Sequence, residues 1–341
     1  MKKEESKVIA QKLQKIPNGT LALKHCRAGG TGTTLFGEQF RAVTAGKEGV
    51  MEAYETFPGI EVSFNVFLAS EIKFQHDASD SVLEIYYCRS GRVGWNMQGG
   101  TAVYLGTGDV TAHSMACCAD SAMMFPLGYS EGISISVDLK QLSSICPEVL
   151  KNASVEADQL QNRFCSGKPS AIPSCSDLEH IFAPLFSAPV SVRISLLKLK
   201  VLEILIYLSN MKSEHKELTQ YFSQQTELIK EIHQQLTEHL DQRFTIAELS
   251  KQYLINTSTL KEIFKAVYGQ PIATYMKEFR VRQAMKLLRE TNDTIADIAS
   301  LVGYQTQGKF SSAFQSIVKM SPREYRKIQG IAPSDSFSKT L

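Results

Sequence analysis

The sequence predicts a multi-domain chain with an all-β domain first, a helical connector next and an all-α domain last. Three observations support this order. Residues 38–138 contain short apolar runs separated by Gly, Asp and Ser clusters, which is the pattern of several short strands joined by tight turns. Leu196–Met211 is the most apolar stretch and has the spacing of a helix. After residue 240, a unit of roughly 30 residues occurs twice, which indicates a repeated structural element.

Composition excludes several classes of protein. The 341 residues are 43% hydrophobic and 21% charged, which is typical of a globular protein and not of a disordered or collagen-like chain. No apolar run is long enough for a transmembrane helix, and the charged N-terminus lacks the apolar core of a signal peptide. We therefore expect a cytoplasmic protein without membrane contact. Seven cysteines, an odd number without CxxC spacing, indicate free thiols.

Positive charge is concentrated at the C-terminal end of the chain. Residues 251–341 carry 14 Lys and Arg against 7 Asp and Glu, whereas residues 1–250 carry 23 against 28. Such an asymmetry favours a negatively charged partner, although a solvated basic face would give the same count. Charge alone leaves both interpretations open.

The strand and helix patterns predict the domain boundaries. We place the N-terminal region at residues 1–138, with a β-barrel at about 38–138. The helical connector, with a dimerisation region and a polar linker, covers residues 139–222. The all-α domain covers residues 223–328, and residues 329–341 form a frayed tail.

The connector helix carries an apolar stripe that is wide enough for two packing contacts. Its members share one helix face and are Leu197, Val201, Ile204, Leu205 and Leu208. One stripe usually packs on the parent domain. Because the apolar arc is wider than one contact requires, we also predict that Leu197, Val201, Leu205 and Leu208 contact a second chain in a homodimer.

The two copies of the C-terminal repeat match in sequence and in helix signals. Thr245–Leu249 recurs as Thr294–Ile298, and Leu260-x-x-x-Phe264 recurs as Phe310-x-x-x-Phe314. The threonine that opens each short helix is a good N-cap, because its hydroxyl accepts a hydrogen bond from a free backbone N–H. A short capped helix, a turn and a longer helix with inward apolar residues form a helix-turn-helix, whose second helix enters the major groove of DNA.

The spacing between the copies suits one face of DNA. Residues 271–289 have no helix breaker after Pro271 and are rich in Met, Lys, Arg, Ala and Leu, so they predict a single helix. A helix of about 19 residues is roughly 28 Å long. Successive major grooves on one face of DNA lie about 34 Å apart. One chain is therefore expected to place two recognition helices in adjacent groove segments.

Over about residues 226–327, the C-terminal block carries an ordered series of motifs: Thr245–Leu249, Leu260-x-x-x-Phe264, Gly269-x-Pro271, Arg280-x-x-x-Ala284-x-x-Leu287-Leu288, Ile295–Ala299, Val302-Gly303-Tyr304, Phe310-x-x-x-Phe314 and Met320–Arg326. This series resembles the DNA-binding domain of AraC/XylS-type transcriptional regulators. It implies a sequence-specific protein that binds double-stranded DNA and usually activates transcription, with RNA polymerase as a further partner. The chain departs from the pattern at Leu254 and Lys319, where glycine is usual, and at Asn256, where serine is usual.

The outward residues of the two recognition helices are the candidates for base contacts. They are the polar residues that remain when the apolar positions of each helix face the core. Gln can bond adenine with two hydrogen bonds, Lys can reach guanine, and Glu can accept a hydrogen bond from cytosine. The predicted base-reading residues are Thr257, Ser258, Lys261, Glu262, Lys265, Gln305, Thr306, Gln307, Lys309 and Ser312.

Four further residues are predicted to contact phosphates, which position a protein on DNA without specifying the sequence. They are Asn256, Gln315, Arg323 and Arg326. For Asn256 we favour the alternative that it caps its helix. Arg280 could contact a phosphate or form an ion pair that holds helices together, and both interpretations stay open.

In the N-terminal region, Glu84-x6-Gly91 is followed by Gly106-Thr-Gly-Asp109. This pattern resembles the skeleton of a cupin barrel, a domain that regulators of this type often carry. Metal-dependent cupins place a His-x-His pair shortly before the Glu, but residues 79–80 are Ser-Asp, His76 is too far upstream, and His113 stands alone. We therefore predict no metal, no cofactor and no catalytic residue.

Three functions stay open for the whole chain. The first is a regulator, in most cases an activator, whose N-terminal domain binds an effector of unknown identity, dimerises, or does both. The second is a cupin-type enzyme with a DNA-binding appendage. The third is a constitutive DNA binder whose barrel only dimerises. The first hypothesis is the one that the residues favour.

Overall fold

The computed structural model describes residues 21–25, 41–44, 49–75, 78–97, 99–118, 121–165, 167–211 and 217–329. The chain divides into two compact units, residues 1–223 and residues 224–341. The predicted tail falls, apart from its first residue, outside the described residues. Across the described ranges, no helix is long and apolar enough to cross a membrane.

The first unit is built mainly from strands. In chain order the described ones are β1 (Leu21–His25), β2 (Arg41–Thr44), β3 (Gly49–Phe57), β4 (Ile60–Phe67), β5 (Glu71–Gln75), β6 (Val82–Gly91), β7 (Val93–Met97), β8 (Thr101–Leu105), β9 (Val110–Ser114), β10 (Ala122–Met124), β11 (Ser130–Asp138), β12 (Ser170–Ile172) and β13 (Tyr221–Phe222). One sheet has the order β1-β3-β4-β11-β6-β9-β12, and the other has the order β13-β8-β7-β10-β5-β2. The prediction of an all-β first domain is confirmed. Its described strands form two sheets that share an apolar core, and not one closed barrel.

Apolar and polar side chains alternate along β11, so they lie on opposite faces of the seven-stranded sheet. In β11, Ile133, Ile135 and Val137 lie on the outer face of the seven-stranded sheet. Ser134 and Ser136 alternate with them and therefore lie on the face that is turned toward the second sheet. The outer face is apolar and needs a cover, and the inner face is partly polar.

Helices cover this outer face. They are α1 (Leu139–Ser144), α2 (Glu148–Asn152), α3 (Ala157–Leu160), α4 (Ser176–Phe182) and α5 (Arg193–Asn210), with a π-helical turn at Gln161–Cys165 directly after α3. The sequence predicts them as a connector, and the structure places them in the same compact unit as the sheets. Their buried leucines, valines and isoleucines join the core formed by the outer sheet face, because a sheet with one apolar face must be covered to be stable.

The apolar stripe of α5 faces the core of its own chain. Leu197, Val201, Leu205 and Leu208 are fully buried among the outer sheet face and the neighbouring helices. The prediction that these four residues contact a second chain is wrong, because their surface is already used within one chain. Leu199 lies on the opposite face of α5 and is 64% exposed.

Helices are the only regular secondary structure among the described residues of the second unit. Its helices are α6 (Ser223–Glu238), which begins at the unit boundary, α7 (Ile246–Gln252), α8 (Thr257–Tyr268), α9 (Ile272–Glu290), α10 (Ile295–Leu301), α11 (Gln307–Val318) and α12 (Pro322–Gln329). Thr245 caps α7 and Thr294 caps α10, and both form a capping box with the acidic residue three positions later. The predicted pair of helix-turn-helix elements, α7–α8 and α10–α11, is confirmed.

A single helix links the two elements, as the sequence predicts. α9 has 19 residues and packs against both α8 and α11. Val281, Ala284 and Leu288 of α9 share one core with Phe310 and Phe314 of α11. Because α9 contributes to the cores of both elements, it joins them as one compact unit.

The two copies differ where the backbone enters the left-handed region. In the turn between the helices, Leu254 has a φ of 50° and is 93% exposed, whereas Gly303 has a φ of 80°. After the recognition helices, Gly269 and Lys319 have φ values of 82° and 64°. Leucine and lysine thus occupy positions where glycine would avoid a steric cost of about 1 kcal/mol. Leu254 and Lys319 therefore adopt the same left-handed backbone conformation as the glycines at the equivalent positions of the other copy.

Candidate DNA-binding surface

The first recognition helix, α8, is fixed at its start by Asn256. The Oδ1 atom of Asn256 accepts hydrogen bonds from the backbone N–H of Ser258 at 2.8 Å and from its hydroxyl at 2.6 Å. Leu260, Ile263 and Phe264 are buried and turn one face of the helix inward. The five predicted base-reading residues of this helix are all exposed on the other side: Thr257, Ser258, Lys261, Glu262 and Lys265.

The second recognition helix, α11, has the same construction. Thr306 caps it by accepting a hydrogen bond from the backbone N–H of Lys309 at 3.3 Å, and Phe310 and Phe314 are fully buried. The predicted base-reading residues around it are all exposed: Gln305, Thr306, Gln307, Lys309 and Ser312. The Thr306 hydroxyl is engaged in the cap, so its position is set by the helix start.

The predicted phosphate contacts divide into two groups. Gln315 and Arg323 are exposed, and Arg323 lies in the first turn of α12. The side-chain oxygen of Asn256 accepts a hydrogen bond at the start of α8, so Asn256 caps this helix, which is the alternative that the sequence favours. Arg326 is half-buried, and its Nη2 donates to the backbone carbonyl of Asp293 at 2.6 Å. The geometry therefore gives Arg326 a structural contact between α12 and the loop before α10, instead of an exposed guanidinium for phosphate.

Arg280 contacts two backbone carbonyls, and not an acidic side chain of the described residues. Its Nη2 donates to the backbone carbonyls of Leu240 at 3.2 Å and Gln242 at 3.0 Å. Both carbonyls lie in the loop between α6 and α7. The side chain therefore joins α9 to the loop that precedes the first helix-turn-helix.

His233 lies on α6, packs against α8 and α9, and was not singled out from the sequence. Its ring stacks on Tyr268 with centroids 4.2 Å apart, and its Nε2 shares a hydrogen bond of 2.8 Å with the Tyr275 hydroxyl. Phe264 and Phe279 complete the aromatic cluster. Burial lowers the pKa of His233 to about 4. The spacing of His233 with the buried residues of α6 is the only sequence signal that could have indicated this position.

The second unit is expected to lose stability in mild acid because of His233. The unfolded histidine takes up a proton near pH 6.5, whereas the folded one does so only near pH 4. Stability therefore falls as the pH drops between these values, by about 2–3 kcal/mol. Urea unfolding followed by far-UV circular dichroism measures this loss. His233→Phe should flatten the dependence, whereas His239→Gln, at the exposed position directly after α6, should retain it. Equal slopes for wild type and His233→Phe would contradict the assignment.

A row of polar side chains crosses the inward face of the seven-stranded sheet in the first unit. Ser136 pairs with Glu61 on one side and with Glu84 on the other, and Glu84 pairs with His113. All four are buried. Burial raises the pKa of Glu84 to about 8, against a hydrogen bond from Ser136 that favours the charged form, and the Glu61 carboxylate adds to the rise. Near neutral pH, Glu84 is therefore mostly protonated and able to donate a hydrogen bond.

Among the buried oxygen atoms on this face that have no hydrogen-bond partner in the described residues are Oε1 of Glu84 and Oγ1 of Thr111. Thr111 lies two residues before His113 on β9. Within the described ranges, no three His, Cys, Asp or Glu side chains are grouped as a metal site would require. His76 lies outside the described residues. The row offers hydrogen bonds to a polar group and does not have a metal-binding arrangement.

The C-terminal region matches known proteins. A family model described as a helix-turn-helix domain matches residues 249–328. An AraC-like transcription regulator of Streptomyces lividans is 39% identical over 84 residues, which are 25% of this chain and 28% of that protein. The HTH-type transcriptional activator RhaR of Mannheimia succiniciproducens is 34% identical over 91 residues, 27% of this chain and 33% of that protein. The chain thus spans about a third of the length of these curated relatives.

Solved structures also match parts of the chain. The C-terminal domain of AraT, a response regulator from Geobacillus stearothermophilus, is 26% identical and covers 33% of this chain and 93% of its own, with a TM-score of 0.31. ToxT from Vibrio cholerae with a bound unsaturated fatty acid is 12% identical and covers 81% of this chain and 97% of its own, also with a TM-score of 0.31. Residues 249–328 thus match a helix-turn-helix domain, and the curated relatives over this region include an AraC-like transcription regulator.

Proposed function

We propose that this chain is a sequence-specific regulator of transcription that reads double-stranded DNA with α8 and α11. The main support is that one unit carries two capped helix-turn-helix elements with the same construction. Each recognition helix buries its apolar face and exposes a polar one. The curated relatives of this region are transcription regulators.

The two recognition helices are proposed to contribute unequally. α8 has a side-chain cap at Asn256 and a left-handed glycine, Gly269, after its last turn, so both ends are well stabilised. α11 has Gly308 in its first turn, which lowers helix propensity by about 1 kcal/mol relative to alanine. α8 therefore sets most of the base discrimination, and α11 adapts to its groove segment. Arg323 and Gln315 contact phosphates.

Replacing Lys261 with Ala is expected to relax the choice of one or two base pairs and to cost about 1–3 kcal/mol on the preferred site. Arg323→Ala is expected to weaken binding about equally on all sequences and to make the salt slope shallower by about one unit. Site selection from random DNA with the full-length chain, followed by affinity measurements at several salt concentrations, measures both effects.

Lys277→Ala is the matched control, because Lys277 is an exposed lysine of α9 outside the proposed surface. It should leave the selected sequence unchanged. A wild-type protein that selects no sequence would refute the proposed function. If Lys261→Ala kept the selected sequence and Arg323→Ala altered it, the two roles would be assigned incorrectly.

We also propose that the regulator activates transcription in the cytoplasm by contacting RNA polymerase. The support is that the RhaR relative is named an activator. Transcription in vitro from a promoter with the selected site should rise when the protein is added. A fall would identify a repressor.

The first unit is proposed to sense a ligand and to form the homodimer. For sensing, the support is that Oε1 of Glu84 and Oγ1 of Thr111, on the face that carries the buried polar row, have no hydrogen-bond partner among the described residues. A buried polar atom costs about 1–3 kcal/mol when it lacks a partner. A ligand that bonds to this row is a small polar molecule with hydroxyl or amine groups. For dimerisation, the support is the exposed Leu199 on the outer face of α5.

Glu84→Leu is expected to abolish stabilisation of the first unit by such a ligand, because it removes the hydrogen-bonding carboxyl from the row. Thermal unfolding with a panel of sugars, polyols and small amines should show a ligand that raises the unfolding temperature of wild type. Glu179→Leu, at an exposed position of α4, should retain the shift. A ligand that stabilises Glu84→Leu as strongly as wild type would place the site elsewhere.

A further inference from the structure

One backbone carbonyl in the first helix-turn-helix region is contacted from two other parts of the second unit. Leu240 lies in the loop after α6, and its carbonyl oxygen accepts a hydrogen bond from Arg280 at 3.2 Å. Arg280 also donates to the backbone carbonyl of Gln242 at 3.0 Å, so its guanidinium holds two carbonyls of the same loop. The loop before α7 is therefore attached to the middle of α9.

The turn of the second helix-turn-helix closes on the same carbonyl. Gly303 has a φ of 80°, and a Cβ atom at this position would overlap the carbonyl oxygen of Leu240 and lie 3.1 Å from Cζ of Arg280. The two elements therefore meet directly at Leu240, Arg280 and Gly303. We call Leu240, Arg280 and Gly303 together the joint.

The chemistry of the joint suits arginine. Its planar guanidinium has several N–H donors in one plane and remains charged when it is partly buried, whereas a lysine presents a single flexible ammonium. The carbonyls lie just beyond the C-terminal end of α6, where the helix dipole favours a positive charge. Burial lowers the pKa of Arg280, the Tyr304 hydroxyl opposes this, and Arg243 adds to it. A half-buried arginine is thus used for a contact between backbone segments.

The joint adds a constraint that α9 alone does not supply. A helix that packs against two elements through its opposite ends still allows each element to rotate slightly about the helix axis. A second contact away from that axis removes this freedom. On DNA, one base pair changes the direction of a groove by about 34–36° and its position by about 3.4 Å. Small rotations about α9 therefore correspond to changes in the spacing that the two recognition helices can accept.

We propose that Arg280 is a positioning residue that, with Gly303, sets the spacing between the two DNA segments read by α8 and α11. This inference rests on the proposed function. With the joint intact, the chain accepts one spacing between its two target segments. When the joint is opened, the chain reads the same bases and accepts neighbouring spacings as well.

The test uses the full-length protein and the DNA site that it selects. Derivatives of this site carry one base pair more or one base pair fewer between the two segments. Wild type is expected to bind them about tenfold more weakly than the parent site. For Arg280→Ala, this ratio should fall to about threefold or less, whereas affinity for DNA that carries only the α8 segment should change less than about twofold.

Two matched variants separate positioning from other roles. Lys286→Ala removes the same charge from an exposed position of α9 and should keep the spacing ratio. Arg280→Lys keeps the charge but not the planar donor group and should lose most of the spacing ratio. Far-UV circular dichroism and binding to the α8 segment confirm that each variant is folded.

Two results would overturn the proposal. The first is a spacing ratio in Arg280→Ala equal to that of wild type. The second is an equal loss of affinity on all sites with a salt slope shallower by about one unit and with recovery in Arg280→Lys, which identifies a phosphate contact. A wild-type protein that selects no DNA sequence refutes the proposed function, and this outcome is distinct from both.

Discussion

Leu205→Asp is expected to unfold the first unit, because it places a carboxylate in the middle of the buried stripe of α5. Leu205 is fully buried and packs in one core with Leu197, Val201 and Leu208. The change removes the apolar contacts of a leucine and adds a charge without a partner, which together cost about 5 kcal/mol or more. This is comparable to the whole stability of a typical domain. The fluorescence of Trp95, the one tryptophan of the chain, follows unfolding of this unit in urea.

Leu199→Asp is the matched control on the same helix. Leu199 is 64% exposed, so the variant should keep the urea midpoint of wild type. If the outer face of α5 forms the homodimer, Leu199→Asp should sediment as a folded monomer. A folded Leu205→Asp protein with the midpoint of wild type would show that the stripe does not face the core.

Gly303→Ala is expected to destabilise the second unit by about 3 kcal/mol or more. A non-glycine residue in the left-handed region costs about 1–2 kcal/mol. In addition, the new Cβ would overlap the carbonyl oxygen of Leu240, and the backbone of the loop after α6 must move to relieve this contact. Thermal unfolding followed by far-UV circular dichroism measures the loss. Hydrogen exchange in residues 239–245 should accelerate in the same variant.

Gly308→Ala is the control within the same element. A Cβ at Gly308 would have no heavy atom within 4 Å, and the residue lies in the first turn of α11. The change should stabilise the helix by about 1 kcal/mol, because alanine has a higher helix propensity than glycine. The two substitutions add the same methyl group and are expected to act in opposite directions. Destabilisation of equal size by both would contradict the contact between Gly303 and Leu240.

Much of the second unit could be predicted from local sequence. The sequence predicts helix starts at Thr245 and Thr294, and the structure has capping boxes at both. It predicts one helix over residues 271–289, and α9 spans Ile272–Glu290. Capping, helix propensity and apolar spacing act over one or two turns, so they are visible without the fold. For the same reason, the exposure of the candidate base-reading residues could be predicted from the apolar positions beside them.

Other features depended on residues that are distant in the chain. Two sheets in place of one barrel, and the row of Glu61, Ser136, Glu84 and His113, follow from strand register, which apolar alternation indicates only for each strand separately. The stripe of α5 predicts a buried face, but its width does not show whether the cover comes from the same chain.

The sequence by itself determined the order of the domains, the repeated helix-turn-helix and the polar outer faces of α8 and α11, because each depends on neighbours within a few residues. Only the tertiary structure decided what Arg280, Arg326 and Leu205 contact. Arg280 bonds to carbonyls 38 and 40 residues away, and Arg326 bonds to a carbonyl 33 residues away. Backbone carbonyls carry no residue identity, so no sequence pattern marks them as partners, and the contact exists only once packing has brought the two segments together.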